Sequence, residues 1–414
     1  MEVKPGYKQT EVGVIPEDWD VEPLGRLVSS VEYGSSAKSS MQGHIPVLRM
    51  GNLQGGKIDW TDLVYTNDES EIRKYKLSPG DVLFNRTNTV ELVGKTSIYK
   101  GEHPAIFAGY LIRIKVDASL LESRFLNYVL NAEFSRGYSA KVLSIAVGQA
   151  NINSQKLKTY PIPLPPTRAE QEAIAAALSD ADALIESLEH LIAKKRQVKQ
   201  GAMQELLTGK KRLPGFSGEW EVKRLGELAE IHSGGTPSTI RPEYWDGDIL
   251  WCTPTDITAL RGFKYLSDTS RKISTLGLKS SSAEMIPANS IVMTSRATIG
   301  ECAINQVPVS TNQGFKNFIP FDNVDVEFLY YLLVTKKQDF ISLCGGSTFL
   351  EVGKTQLASF EIQLPAVKAE QTAIAAILSD MDAELFALEA KLAKARQVKQ
   401  GMMQELLTGR IRLV

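Results

Sequence analysis

Little in this chain invites redox, metal or membrane chemistry. Only three cysteines, Cys252, Cys302 and Cys344, occur in 414 residues. Their wide spacing fits neither a disulfide framework nor the close pairs of a zinc site, so they read as ordinary thiols. The four histidines, His44, His103, His190 and His232, are scattered without metal-ligand spacing, and His190 falls on a helical stretch where a solvated side chain is the default. No apolar run approaches the roughly eighteen residues that would span a membrane. The start, Met1 to Asp20, lacks a charged-then-apolar secretory pattern, which leads us to expect a cytoplasmic protein. Charge of one sign is missing too: 47 basic and 48 acidic side chains give a formal net charge of -1. That balance neither announces nor excludes a nucleic-acid partner, because only a local basic surface is needed.

What is present is an ordinary globular composition, 43% hydrophobic and 23% charged, with length for two or three domains. It also carries a repeat. Laid on itself with a shift of 200 residues, the chain matches 168–213 to 368–413 at 31 of 46 positions. Identical stretches include Ala169-Glu170-Gln171 with Ala369-Glu370-Gln371, Arg196 to Gly201 with Arg396 to Gly401, and Met203 to Gly209 with Met403 to Gly409. Upstream is a weaker echo, in which Trp19-Asp20-Val21 answers Trp220-Glu221-Val222. Each unit leaves its globular part through prolines, Pro161 to Pro166 and Leu364-Pro365, and the two middles agree poorly.

The near-identical tails are helical by periodicity. Ile174, Leu178, Ala181, Ile185, Leu188, Ile192 and Lys195 follow alternating steps of four and three, as do Ile374, Leu378, Met381, Leu385, Leu388, Leu392 and Ala395, the rhythm of a coiled-coil seam. Thr167 with Glu170 forms a capping box, Val367 cannot cap the second helix, and Gly209 and Gly409 suit helix C-caps. Each helix is expected to run roughly forty residues, about 60 Å. Gly201 and Gly401 interrupt both patterns at one place, marking either a bend or close helix approach, or a glycine merely inherited by duplication. Both helix ends meet at the second body, so pairing them requires an antiparallel arrangement. The fold expected is α+β: two similar globular domains separated by two long antiparallel coiled-coil helices in a pseudo-two-fold internal repeat. The domains are 1–165, with a lead over 1–18, and 213–365; the helical spacers are 166–212 and 366–414. Such a dumbbell brings Met1 near Val414.

In the bodies, β-rich runs fall at Ile45–Met50, Asp81–Phe84 and Leu111–Ile114, and at Ile249–Cys252, Ser290–Met293 and Phe315–Ile319; helices fall around Ser123–Tyr138 and Val326–Leu343. Two related but unequal heads on a stiff spacer match a split DNA site, because a duplex presents successive major grooves on one face about 34 Å apart.

Gly6 to Trp19, Pro79 to Asn88, Leu92 to Thr96, Gly234 to Ser238, Tyr244 to Ile249, Ser310 to Phe315 and both Gln-Glu-Leu-Leu-Thr-Gly tails resemble phrases of the specificity subunits of type I restriction-modification systems. The similarity runs the whole chain in the family's order of recognition domain, helical region, recognition domain, helical region. The resemblance implies a non-catalytic DNA-binding subunit in a prokaryotic cytoplasm. Each recognition domain would read one half of a bipartite, asymmetric double-stranded target. The helices would set the half-site spacing and bind two modification (methyltransferase) subunits, with room left for restriction subunits. No cofactor is expected in this chain; S-adenosylmethionine, and ATP with magnesium, would belong to partners that methylate adenine or translocate and cleave.

The residues agree with that division of labour. Gly94-Lys95-Thr96 and Gly353-Lys354-Thr355 approach a Walker pattern, but its first glycine is replaced by Thr89 and Thr348. No Asn-Pro-Pro-aromatic or Asp-Pro-Pro-aromatic run of an amino-methyltransferase occurs, and no carboxylates stand out as a paired acid and base. A catalytic site and a metal site are both expected to be absent. Base edges are best matched by Arg, Lys, Asn and Gln, with Ser and Thr more permissive. The candidate DNA-contacting residues are therefore Arg49, Asn52, Asn85, Arg86, Asn88 and Lys95 in the first body. In the second they are Thr253, Thr255, Ser295, Arg296, Asn312, Gln313 and Lys316. Arg86 and Arg296 occupy similar places after a β-run, with a local carboxylate or solvent as the bland alternative for each. The basic excess of Lys194, Lys195, Arg196, Lys199, Lys210, Lys211 and Arg212 suits phosphate contact, a solvated face or partner docking. Two rival readings remain: a single-chain enzyme with its own specificity domain, and a scaffold whose coiled coil holds two protein-binding domains.

Overall fold

The computed structural model describes residues 4–146, 148–344 and 350–413. The chain divides into two compact units, one made of 1–189 with 390–414 and the other of 190–389. Each unit therefore takes a globular body, one half of the first long helix (Arg168–Leu206) and one half of the second (Lys368–Leu406).

In the first unit a four-stranded antiparallel sheet runs in the order Thr96–Ile98, Val82–Asn85, Leu111–Val116, Val28–Tyr33. A small mixed sheet places Ile45–Leu48 between Ile106–Phe107, parallel, and Val64–Thr66, antiparallel. The second unit repeats this plan with Ala229–Ser233, Phe315–Pro320, Ser290–Thr294, Cys302–Asn305 and a fifth strand, Tyr265–Leu266. Its small sheet sets Trp245–Cys252 between Arg271–Ile273 and Ser310–Thr311. Each expected β-run is a strand, within a few residues at the ends. The central strands Val82–Asn85 and Ser290–Thr294 are buried throughout, which is why they read as continuous apolar runs rather than alternating ones.

Each echo noticed in the sequence pairs with the proline exit of its own body. Asp20–Pro23 lies antiparallel to the proline exit Pro161–Leu164, and Trp220–Arg224 to Glu361–Pro365, so each body is closed by a strand pair joining its start to its end. The expected helix over Ser123–Tyr138 is two helices, Ser123–Asn131 and Glu133–Val142, broken at Ala132, whose ψ of 158° is extended. Val326–Leu343 likewise breaks at Lys336. No Pro or Gly marks either break; the Ser135 hydroxyl bonds the Val129 carbonyl and ties the first corner.

The long helices are continuous over 39 residues each. Within each unit their halves run antiparallel, because partner numbers rise on one as they fall on the other: Glu170 with Arg412, Asp182 with Lys399 and Glu189 with Arg396 in the first unit. Glu370 with Arg212, Asp382 with Lys199 and Glu389 with Arg196 repeat the set in the second. The seam is shared with the bodies. Ile174 and Leu178 pack into the first body's main core beside Leu406 and Leu407, and Ile374 and Leu378 into the second's beside Leu206 and Leu207. Further along, Leu188 and Leu385 are buried, and Ile185 and Leu388 are half-buried.

Thr167 Oγ1 accepts from the Glu170 N–H at 3.3 Å, one half of the expected capping box; the Glu170 carboxylate is instead taken by Arg412. The C-cap glycines hold φ of +70° and +66°, and the rings of Trp220 and Trp19 lie where a Cβ on Gly209 or Gly409 would project. Nothing lies within 4 Å of a Cβ built on Gly201 or Gly401, so no contact inside the chain demands glycine there. Arg412 Nη1 bonds Asp18 at 3.0 Å, which ties the two ends of the described chain together; Met1 and Val414 themselves lie outside the described residues.

Candidate nucleic-acid interface

In each body four segments converge at one end of the two sheets, held by the same backbone bonds. In the first body the Ser35 N–H bonds Phe107 O (2.9 Å), Ala108 N–H bonds Leu48 O (2.9 Å), Arg86 N–H bonds Tyr110 O (3.1 Å) and Ile152 N–H bonds Arg86 O (2.9 Å). In the second, Gly235 N–H bonds Thr311 O (2.9 Å), Asn312 N–H bonds Cys252 O (3.0 Å), Ser295 N–H bonds Gly314 O (2.7 Å) and Val352 N–H bonds Ser295 O (3.1 Å). This frame defines positions independently of side-chain identity. Ser36 corresponds to Thr236, Arg49 to Thr253, Arg86 to Ser295 and Tyr110 to Gly314.

The frame corrects part of the sequence reading. Arg86 and Arg296 are not equivalent: Arg86 answers Ser295, and Arg296 is one residue further on, where an isolated bridge joins it to Glu351. Four candidates are interior residues. Asn52 accepts the Arg49 N–H (2.8 Å) and donates to Asp59 O and Thr61 O (3.0 Å each), so its amide is spent on holding a turn. Asp256 does the same work in the second body, accepting the Thr253 N–H at 2.7 Å. Asn85 and Ser295 are fully buried, and Lys316 is buried with its ammonium on Glu351 (3.3 Å). Buried in the folded body, these side chains are kept from a base edge.

The remaining candidates stay at the surface. Arg49 is parked on Asp62 (3.1 Å), Arg86 lies over the Tyr33 ring (4.6 Å), and Lys95 touches Gln54 (3.4 Å). The Asn88 carbonyl accepts the Thr89 N–H at 2.9 Å. In the second body Arg296 pairs with Glu351 (2.8 Å), Thr255 is exposed, Thr253 bonds Asp256, the Asn312 side chain accepts the Gly314 N–H (2.9 Å), and Gln313 accepts from Thr236. Burial works against the charge on Glu351, but hydrogen bonds from Arg296 and Lys316 outweigh it and hold the carboxyl below its ordinary value. Arg49, Arg86 and Arg296 are thus kept folded against local partners that a phosphate or a guanine edge can replace. Sequence reasoning missed Tyr110, 57% exposed beside Arg86, and Thr236; both show up only once the loops are brought together. It also missed Arg271, which stacks on Trp245 at 3.9 Å.

The basic excess of the first helix is largely spent inside the unit. Lys195 bonds Glu384 (2.7 Å), Arg196 bonds Glu389 (2.6 Å), Lys199 bonds Asp382 and lies over the Tyr331 ring, Lys211 faces Glu205 (3.9 Å), and Arg212 holds Glu370 with two hydrogen bonds. The bonds of Arg196, Lys199 and Arg212 recur in the other unit at Arg396, Lys399 and Arg412 and account for identities between the repeats, whereas Lys195 and Glu384 answer Ala395 and Leu184. Tyr128 donates to Asp182 (2.7 Å) as Tyr331 does to Asp382 (2.6 Å), and the Gln171 and Gln371 carbonyls each accept at 2.9 Å from the backbone that starts a body helix, Glu122 and Asp325. Other identities have no such role. Val198 and Val398 remain 50% and 47% exposed, on the stretches that carry Gly201 and Gly401.

Gly94-Lys95-Thr96 leads into the strand Thr96–Ile98, where a phosphate loop would enter a helix, and Thr348 lies outside the described residues. Among the described residues no cluster of His, Cys, Asp and Glu is arranged to hold a metal, and no helix is long and apolar enough to cross a membrane. The three cysteines are buried and free, and burial pushes the Cys302 thiol up.

Comparison with known proteins decides the family. The model of the type I restriction modification DNA specificity domain matches twice, over residues 16–196 and 217–396. The chain belongs to this family. Over its whole length this specificity protein is 29% identical to a Methanocaldococcus jannaschii protein assigned as the MjaX specificity subunit, covering 98% of this chain and 97% of that one. It is 42% identical over 166 residues, 40% of this chain and 38% of the other, to the type I restriction enzyme MjaIX specificity subunit of the same organism. Its fold resembles the crystal structure of a type I restriction-modification S subunit from M. genitalium, with a TM-score of 0.61, 15% identity and 98% of both chains covered. The double match places one specificity domain on each set of converging loops.

Proposed function

We propose that this specificity protein reads a bipartite, asymmetric double-stranded DNA target, one half with each recognition domain, and does no chemistry itself. The observation that carries the reading is the shared backbone frame with unlike side chains on it. Arg49 stands where the other domain has Thr253, Arg86 where it has Ser295, and Tyr110 where it has Gly314. One scaffold with two sets of donors and acceptors suits two different half-sites. The helices set the half-site spacing and bind two modification subunits, with room left for restriction subunits. Val198 with Gly201, and Val398 with Gly401, support the docking role: they are alike in both copies, face outward and are not used internally, as two identical partners require. S-adenosylmethionine sits on the modification subunits, ATP with magnesium on the restriction subunits, and the complex works in a prokaryotic cytoplasm.

The test is adenine-methylation mapping of host DNA with and without this chain, the modification subunit being present throughout. Methylation at one bipartite motif only when the chain is present establishes the reading and reveals both half-sites. No motif-specific change from an assembled complex sinks it and puts the protein scaffold in its place.

A further inference from the structure

Among the described residues the two most exposed large hydrophobic side chains are Ile240, at 87%, and Met41, at 74%. Single exposed apolar residues are common and by themselves need no explanation. These two, however, occupy the same loop in two bodies whose sequences do not match. Each loop leaves its sheet at Gly34 or Gly234, the first pressed on backbone at 107–108 and the second on backbone at 312 and the Thr311 hydroxyl, so closely that no Cβ fits. That contact pins the loop to the converging segments of the recognition site.

Each tip is also shaped. Ser40 exchanges two backbone hydrogen bonds with Tyr65, at 2.9 and 2.8 Å, which sets Met41 beside the strand next to Ile45–Leu48, the one that leads into Arg49. In the second body the Ser238 carbonyl accepts from the Trp245 indole (3.1 Å) and the Arg241 N–H (3.4 Å), so Ile240 stands on a turn closed from behind. Neither side chain joins any apolar cluster of its unit, so neither is held outward by packing.

We propose that Met41 and Ile240 enter the major groove and pack on the C5-methyl group of a thymine, one in each half-site. The inference rests on the DNA reading proposed above. Three features favour DNA over a protein surface. The tips are flanked by Lys38, Ser39 and Ser40 and by Thr239 and Arg241, which are phosphate-contacting types. They differ between the domains, as unlike half-sites require, whereas a partner common to both would call for alike residues. The apolar feature a major groove offers is the thymine methyl.

The experiment uses the chain assembled with its modification subunits and a duplex bearing the mapped motif, with thymines replaced singly by deoxyuridine. With wild-type protein one replacement in each half weakens specific binding about fourfold, the worth of one buried methyl. Ile240→Ala weakens binding at least as much and abolishes the deoxyuridine effect in one half only; Met41→Ala does so in the other. Both leave the salt dependence unchanged, because no phosphate contact is lost. Wild-type affinity in both variants, a deoxyuridine penalty that persists in them, or loss of subunit assembly instead of DNA binding overturns the inference while leaving the recognition function intact. Absence of motif-selective binding by the wild type overturns both.

Discussion

Arg212→Ala is the substitution for which the structure sets a magnitude. Arg212 Nε and Nη2 hold the two oxygens of Glu370 at 2.6 and 2.7 Å, and Glu370 is 3% exposed at the start of the second long helix. Removing the guanidinium strands a carboxylate away from water, a defect that costs about 3–5 kcal/mol. The Arg212 side chain is 27% exposed, so water can partly replace it, and the lower end, about 3 kcal/mol, is expected. Arg196→Ala is the control: its pair with Glu389 is 2.6 Å long but the arginine is 65% exposed, and loss of such a pair costs under about 1 kcal/mol. A chain of two units does not unfold in one step, so the assay is native-state hydrogen exchange in peptides covering 205–225 and 365–372. Arg212→Ala should speed exchange there by about two orders of magnitude, and Arg212→Ala with Glu370→Gln should recover most of the loss. Equal effects of Arg212→Ala and Arg196→Ala, or a double variant no better than the single, would refute the reasoning.

Further outcomes follow from the same geometry. In the second unit burial opposes the charge on Glu327, but bonds from Lys264, Ser379 and Tyr265 outweigh it and hold the carboxyl below its ordinary value. The stability this link contributes is complete above the ordinary glutamate value and is lost as pH falls through the lowered one; a melting series from pH 7 to 3 should show a smaller acid loss in Lys264→Met with Glu327→Gln. Gly201→Ala should raise helix stability by up to about 1 kcal/mol in thermal melts of the chain, since nothing crowds the site; weaker pull-down of the modification subunit by that variant would locate the docking surface there. Arg296→Ala should cost about 1–3 kcal/mol of discrimination in one half-site, read by competition against motif variants; a loss spread evenly over all sequences would make it a phosphate contact instead. A permutant that joins the two ends through a short linker and opens the chain within 214–218 should be soluble and melt as the parent chain does, because Arg412 already reaches Asp18; an insoluble product counts against the layout.

The helical architecture was legible because its residues repeat their work. Glu170 and Glu370, Gln171 and Gln371, Asp182 and Asp382, and Lys199 and Lys399 make the same bonds twice, so their identities survive where the bodies have diverged. The recognition loops were harder to read for the converse reason. Asn52 and Asp256 close the same turn with different groups, and an amide spent on backbone looks in sequence like one free for a base. Arg86 and Arg296 seemed equivalent because distance along the chain was the only measure available, whereas the backbone bonds set them one residue apart. The breaks at Ala132 and Lys336 left no mark, since extended backbone at Ala carries no residue signature. The sequence named residues on and around the converging segments, while telling buried side chains from exposed ones within them needed the folded frame.

The split of the first unit into 1–189 and 390–414 bears on how the molecule is made. Its globular body leaves the ribosome early, yet Leu406 and Leu407 of its core and the Arg412 partner of Glu170 emerge more than 200 residues later. At about 5–20 residues per second that is a wait of roughly 10–40 s with an apolar face of the first helix uncovered. The second unit, one uninterrupted stretch of 190–389, has no such interval. Chaperone dependence during synthesis should therefore fall on the recognition domain that is translated first, and a chain cut after residue 389 and tethered to the ribosome through a linker that fills the exit tunnel should display a finished second domain beside an incomplete first one.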